Sequence, residues 1–314
     1  MNGTHSTRDS LTIVAPLGLR FRDEVTGNFV GDGLSVSLYV PGQPATRVRA
    51  SANLSGIYVI HHAPGLRAFE HGHGDDQFWN NLPPTKSFII AVTDLERRFQ
   101  PFQINAQLPV RGVFNWSSPL ATSPPDDGSS IPLYSSPVRN VPAGMASLRA
   151  DLWDAVTGAP ASWAVLEAYS NNQLAARSIA DDQGRVALIF PHPAPRPFAV
   201  SSPPSSPISS PPQFTGPPLT QQVWPIDLRA RYGAIEPPPL LPGEAGPEPQ
   251  LPDLRAMLSQ PVATLWADNE LTETLNTVSL NYGRELILKS RPAISQSPPT
   301  RQSVLFITPA VSPP

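Results

Sequence analysis

The hydrophobic positions of this chain fall in short runs of period two, the spacing of a strand with one face in a core. Leu17, Leu19 and Phe21 alternate with Gly18, Arg20 and Arg22, and after Asp23-Glu24-Val25-Thr26-Gly27 the alternation resumes at Leu34, Val36, Leu38 and Val40. The same order returns later. Leu148, Ala150 and Leu152 precede Asp154-Ala155-Val156-Thr157-Gly158, and Ala164, Leu166 and Ala168 take the places of Leu34, Val36 and Leu38. A second turn follows in each copy, Asn53-Leu54-Ser55-Gly56 and Asp181-Asp182-Gln183-Gly184, and leads into a strand, with Tyr58 and Ile60 set against Val186 and Leu188. Both turn types have a physical reason. An Asp or Asn side chain accepts from nearby backbone amides, and a Gly three or four residues on takes the positive φ that a side chain would penalise. Asp94-Leu95-Glu96-Arg97-Arg98-Phe99 is matched with Asp227-Leu228-Arg229-Ala230-Arg231-Tyr232. The expected duplicated unit is therefore about 90 residues long, with an insertion in the second copy, a size that suits a small β-sandwich.

Residues 117–130 are rich in Ser, Pro, Asp and Gly and lack alternation, which predicts a linker over 111–140. From 191 to 260 there are 19 prolines in 70 residues, which predicts an extended, polyproline-like insertion. Val223-Trp224-Pro225-Ile226-Asp227-Leu228 interrupts it as an expected edge strand. Leu251 to Leu258 predicts one short helix, with Pro252 near its first turn and Pro261 ending it. Strands are expected at Thr277–Tyr282, Glu285–Lys289 and Ser303–Ile307, with Ser303–Pro309 as the counterpart of Phe102–Leu108 in the first copy. The predicted fold is all-β: a first sandwich over 11–110, the linker over 111–140, and a second sandwich over 141–314 that contains the insertion.

Composition sharpens this picture. The 314 residues include 41 prolines, which disfavours long helices, yet 40% are hydrophobic, enough for cores. The net charge of −3, with lysine only at Lys86 and Lys289 and arginines spread along the chain, lacks a nucleic-acid footprint. No apolar run reaches the ~18 residues of a membrane span, and the polar start lacks a secretory signal, so the expected location is the cytoplasm. With no cysteine, disulfides, thiolate nucleophiles and zinc fingers are excluded.

Candidate chemistry is sparse. Glu70-His71-Gly72-His73-Gly74-Asp75-Asp76 gathers five potential ligands in seven residues, and His71, His73 and Asp75 are the candidate metal ligands, set against the plain reading of a solvated polar loop. His61 and His62 end a strand whose alternation sends their rings to opposite faces. His192, between two prolines and far from any carboxylate run, reads as a turn histidine. Asp23, Asp154, Asp181 and Asp182 offer oxygen ligands for calcium, but turn chemistry already accounts for them. Metalloprotease, nucleophile-elbow, P-loop and dinucleotide motifs are all missing, so neither a catalytic residue nor a cofactor is expected. Of the six tryptophans, Trp79, Trp116 and Trp153 are the candidate partner anchors, Trp224 is a candidate core residue, and Trp163 and Trp266 are unassigned.

The order strand, D-x-x-T-G, strand, D/N-x-x-G, strand resembles the transthyretin-like or carboxypeptidase regulatory-like domain. Asp154, Thr157, Gly158, Pro160, Asp181 and Gly184 stand where that pattern places them, whereas the first copy has Asn28-Phe29 in place of the small residue and proline. This resemblance implies a seven-stranded immunoglobulin-like sandwich, usually an accessory module, and brings no peptidase activity. The whole chain also resembles two-domain proteins encoded with phage-tail-like contractile injection systems. That likeness rests on Asn140 to Met145, on Ala180 to Val186 running into Pro191-His192-Pro193, and on the end from Leu251-Pro252-Asp253-Leu254 to Thr308-Pro309-Ala310. It implies a non-catalytic, baseplate- or tail-associated structural protein whose partners are protein subunits, without nucleic acid or membrane insertion. The alternatives are a carbohydrate- or protein-binding surface module and a metal-dependent enzyme using the 70–76 loop.

Overall fold

The computed structural model describes residues 13–72, 74–120, 129–194, 221–233, 235, 251–291 and 304–309. It is mostly β and divides into two compact units. Among the described residues, unit 1 holds 13–133 and 251–256, and unit 2 holds 134–235 and 257–309.

Unit 1 opens with β1 (Leu17–Leu19) and β2 (Phe21–Asp23), two halves of one extended run. The long hairpin of β3 (Leu34–Val40) and β4 (Gln43–Arg49) follows, then β5 (Ser51–Ala52) and β6 (Tyr58–Ile60). Two short helices, α1 (Arg67–Glu70) and α2 (Asp76–Asn80), precede β7 (Lys86–Asp94), β8 (Phe102–Leu108) and β9 (Ile131–Leu133). The sheets are β4-β3-β7-β8, β1-β6-β5, and the parallel pair β2-β9. Phe21, Leu38, Ile60, Phe88, Ile90, Phe102 and Ile104 are fully buried, as the alternation requires.

Unit 2 begins with β10 (Met145–Asp154), β11 (Ala159–Pro160), the hairpin β12 (Val165–Ser170) and β13 (Gln173–Ile179), and then β14 (Arg185–Pro191) and β15 (Val223–Arg231). The helix α3 (Leu254–Leu258) begins in the 251–256 segment assigned to unit 1, where Asp253 Oδ1 accepts the Ala256 amide at 2.9 Å. The last strands are β16 (Val262–Leu265), β17 (Thr277–Asn281), β18 (Leu286–Leu288) and β19 (Leu305–Pro309). One core cluster, including Leu148, Leu152, Leu166, Leu188, Phe190, Ile226 and Ile307, draws on nearly every strand.

The two units repeat one set of pairings. The β3–β4 and β12–β13 hairpins carry register shifts at Leu38/Val40 and Ala168/Tyr169, and the β1–β6 pair Leu17↔Ile60 is matched by Leu148↔Leu188 between β10 and β14. The turns repeat as well. Asp23 accepts the Val25 amide and the Thr26 hydroxyl, as Asp154 does from Val156 and Thr157, and the Gly27 and Gly158 amides close both turns. Asn53 Oδ1 accepts from Ser55 and Ile57, and Asp181 Oδ1 accepts from Gln183 and Arg185, around the positive φ of Gly56 and Gly184.

Three sequence expectations are corrected. Leu38↔Ile90 and Ala168↔Leu228 are equivalent pairs, so Asp94 corresponds to Tyr232, and Asp227 lies inside β15 opposite Tyr169. β19 is the counterpart of β9 rather than of β8: each runs parallel to the strand that ends at its unit's first Asx turn, β2 at Asp23 and β10 at Asp154, and Leu133 and Ile307 accept from Glu24 and Ala155. The place of β8 is shared in unit 2 by β16 and β17, both antiparallel to β15. Finally, the 111–140 linker is tied in over its described parts, through Phe114 N–H to Gly18, β9 to β2, and buried Tyr134, Ser135, Ser136 and Arg139.

Candidate functional site

The 70–76 loop spends its carboxylates on the fold. Glu70 is buried at the end of α1 and accepts from the amides of His62 (2.5 Å) and Ala63 (3.3 Å), with His62 Nδ1 3.5 Å from its other oxygen. Asp75 caps α2 by accepting the Phe78 amide at 2.8 Å, and Asp76 pairs with Arg111 at 2.6 Å. His71 is exposed, and His73 lies outside the described residues. Among the described residues no three His, Asp or Glu side chains gather as a metal site requires. The candidate calcium ligands Asp23, Asp154 and Asp181 are likewise occupied by turn amides, with Arg185 also on Asp181 at 2.7 Å.

The tryptophans sort by burial. Trp79 is half-buried on α2, edge-on to Phe69 and Phe78 at 5.4 and 5.6 Å, with the Arg111 guanidinium 6.0 Å from its ring. Trp153 is half-buried on β10, opposite Pro160 and Phe306. Trp116, expected at an exposed interface, is instead 6% exposed with Arg255 over its ring, because the segment after β8 folds back onto unit 1. Trp224 is core, its indole N–H donating to the Ala194 carbonyl at 3.2 Å. His192 packs at 4.7 Å on Tyr282, and burial depresses its pKa.

The densest polar constellation was not singled out from the sequence. On β12 and β13 of unit 2, Glu167 lies directly across from Arg177, whose Nε donates to Glu167 Oε1 at 2.7 Å, and both side chains are buried. Tyr169 donates its hydroxyl to Glu167 Oε2 at 3.0 Å, and Arg229 on β15 lies 4.1 Å over the Tyr169 ring. Burial works against the Arg177 charge, but Tyr134 and Glu167, both hydrogen-bonded to it, offset this and raise its pKa. The Tyr169 hydroxyl is also pushed up, by burial and then by the Glu167 charge. Glu167 stands four residues before the Asn171-Asn172 turn, whose two residues both take positive φ, and Arg177 five after it, so the pair forms only through the register shift at Ala168/Tyr169.

In unit 1 the equivalent cross-strand pair is Ser37 and Arg49, and Tyr39 takes the place of Tyr169. The Tyr39 hydroxyl reaches Gln103 at 3.3 Å, and Arg47 lies 5.0 Å over its ring. The duplicated arginine is thus present without its carboxylate. In unit 1 the arrangement leaves Arg49 exposed on the strand surface. Among the described residues, no helix is long and apolar enough to cross a membrane. No protein family, curated protein or solved structure matches the chain.

Proposed function

We propose that this chain is a non-catalytic structural and interaction protein built from two transthyretin-like, immunoglobulin-like sandwiches. In this reading it is a baseplate- or tail-associated accessory component of a contractile injection particle, assembled in the cytoplasm from protein subunits. The observation that carries the reading is the duplication of one strand-pairing scheme with both of its Asx turns, Asp23 with Asp154 and Asn53 with Asp181. A rigid repeated block with polar groups committed to turns and caps suits a scaffold that presents surfaces. Proline-rich segments lose less entropy on docking, which suits contacts with neighbouring subunits. The test is to purify contractile particles from the native host and identify their components by mass spectrometry. The chain is expected among them, and its absence removes the particle assignment.

A second reading, a surface module gripping a carbohydrate or protein ligand, is favoured by Trp79 alone, half-exposed beside Arg111. Glycan-array binding abolished by Trp79→Ala would support it. Trp116 drops out of this reading because it is buried.

A further inference from the structure

We propose that the outer edge of unit 1's four-stranded sheet, at β4 around the exposed Arg49, docks an extended acidic segment of a partner protein. The inference comes from comparing the two hairpins residue by residue. Arg177 and Arg49 occupy the same place, each directly opposite the residue two before the hairpin's Tyr. In unit 2 that residue is Glu167, and the ion pair is complete at 2.7 Å. In unit 1 it is Ser37, and Arg49 is exposed without an ion pair among the described residues. Among the described residues of unit 1 no carboxylate pairs with this guanidinium.

Cover differs in the same sense. The last three residues of β13 are buried, and the chain's own extended segment reaches this strand, with Ser178 Oγ donating to the Ser135 carbonyl at 3.2 Å and Tyr134 hydrogen-bonding Arg177. No residue of β4 is buried, and β4 is the terminal strand of its sheet. An open edge presents a row of backbone donors and acceptors that an added strand can pair. β4 carries no acid between Gln43 and Arg49, and the exposed Arg49 at its end selects an acidic strand. A second β4 is selected against. It would bring arginine against arginine across the new pair.

This surface deepens the interaction role proposed above and rests on it only for a partner that is a protein. The test titrates the full-length chain with short fluorescent peptides of alternating glutamate and valine, and with the same peptides carrying lysine for glutamate. The glutamate peptide should bind, the lysine peptide should not, and affinity should fall as salt rises. Arg49→Glu should weaken binding about tenfold or more at unchanged melting temperature. Ser37→Glu should weaken it similarly, because the new carboxylate engages Arg49 from within, as Glu167 engages Arg177. Equal binding of both peptides, no binding of the acidic one, or indifference to Arg49→Glu overturns the proposal. So does a concentration-dependent dimer abolished by Arg49→Glu, which would give the edge to a second copy. Loss of peptide binding with the chain still present in particles would remove this surface alone, and absence from particles with binding intact would remove only the particle assignment.

Discussion

The side-chain amide of Gln260 donates to the Trp163 carbonyl at 2.7 Å while its oxygen accepts the Gly233 amide at 2.9 Å. The equivalent residues of unit 1, Gly33 and Leu95, bond directly, the Leu95 amide reaching the Gly33 carbonyl at 2.9 Å. Gly33 and Trp163 both take positive φ, so the backbone is held alike and only the bridge differs. Unit 2 has inserted a side chain between two backbone groups that unit 1 joins.

Gln260 is 4% exposed, so its removal leaves a buried donor and acceptor without partners. Gln260→Ala is expected to destabilise unit 2 by about 2–4 kcal/mol in chemical denaturation. Gln260→Met, which restores the volume without the hydrogen bonds, should recover little of this. A loss below about 0.5 kcal/mol for either variant would show that the bridge is dispensable.

Tyr232 and Asp154 give stability a pH dependence at the alkaline end. The buried Tyr232 hydroxyl donates to Asp154 Oδ2 at 3.2 Å. Burial, and then the Asp154 charge and this hydrogen bond, push its pKa up to about 12. The folded state therefore holds the proton more tightly than the unfolded state does, so the stabilisation is complete below the ordinary value of about 10 and fades as pH rises through about 12. The loss between these limits should be on the order of 2 kcal/mol, and Tyr232→Phe should flatten the stability profile over that window.

Much of this architecture was legible because its causes are local. Alternation at Leu34, Val36 and Leu38 needs only neighbouring residues, and the Asp154 and Asp181 turns carry their own acceptors and glycines. What failed depended on distant partners. Ile131-Pro132-Leu133 shows no strand signal, yet it pairs with Phe21–Asp23. Asp94 and Asp227 begin similar strings, but cross-strand register, which a single string does not contain, puts Asp227 inside β15. Glu167 and Arg177 sit at outward positions that alternation assigns to solvent, and only tertiary cover makes them a buried pair.

That pair makes a further prediction. Replacing one partner leaves a charge buried without its counterpart, so Arg177→Met and Glu167→Leu should each cost about 3–5 kcal/mol. The double variant should cost much less than the sum of the two, because it removes both desolvation penalties together. A double-mutant cycle by urea denaturation measures the coupling. Strict additivity would show that the two side chains act independently despite their 2.7 Å contact.

Two turn glycines with nearly equal φ separate backbone strain from steric exclusion. Gly158 has φ +67 and open space where a Cβ would project, whereas Gly184 has φ +76 and a Cβ there would lie 2.3 Å from the Leu152 carbonyl oxygen. That oxygen belongs to β10, whose Leu152 amide is itself bonded to the Gly184 carbonyl at 2.8 Å, so neither chain can withdraw without breaking the pairing. Gly158→Ala should therefore cost only the left-handed conformation, about 1 kcal/mol. Gly184→Ala adds a backbone clash and should cost at least about 3 kcal/mol. Thermal melts of the two variants decide the matter: equal losses would mean that the turn at Asp181 can move away from β10, and that the close approach of the two segments is not what requires glycine there.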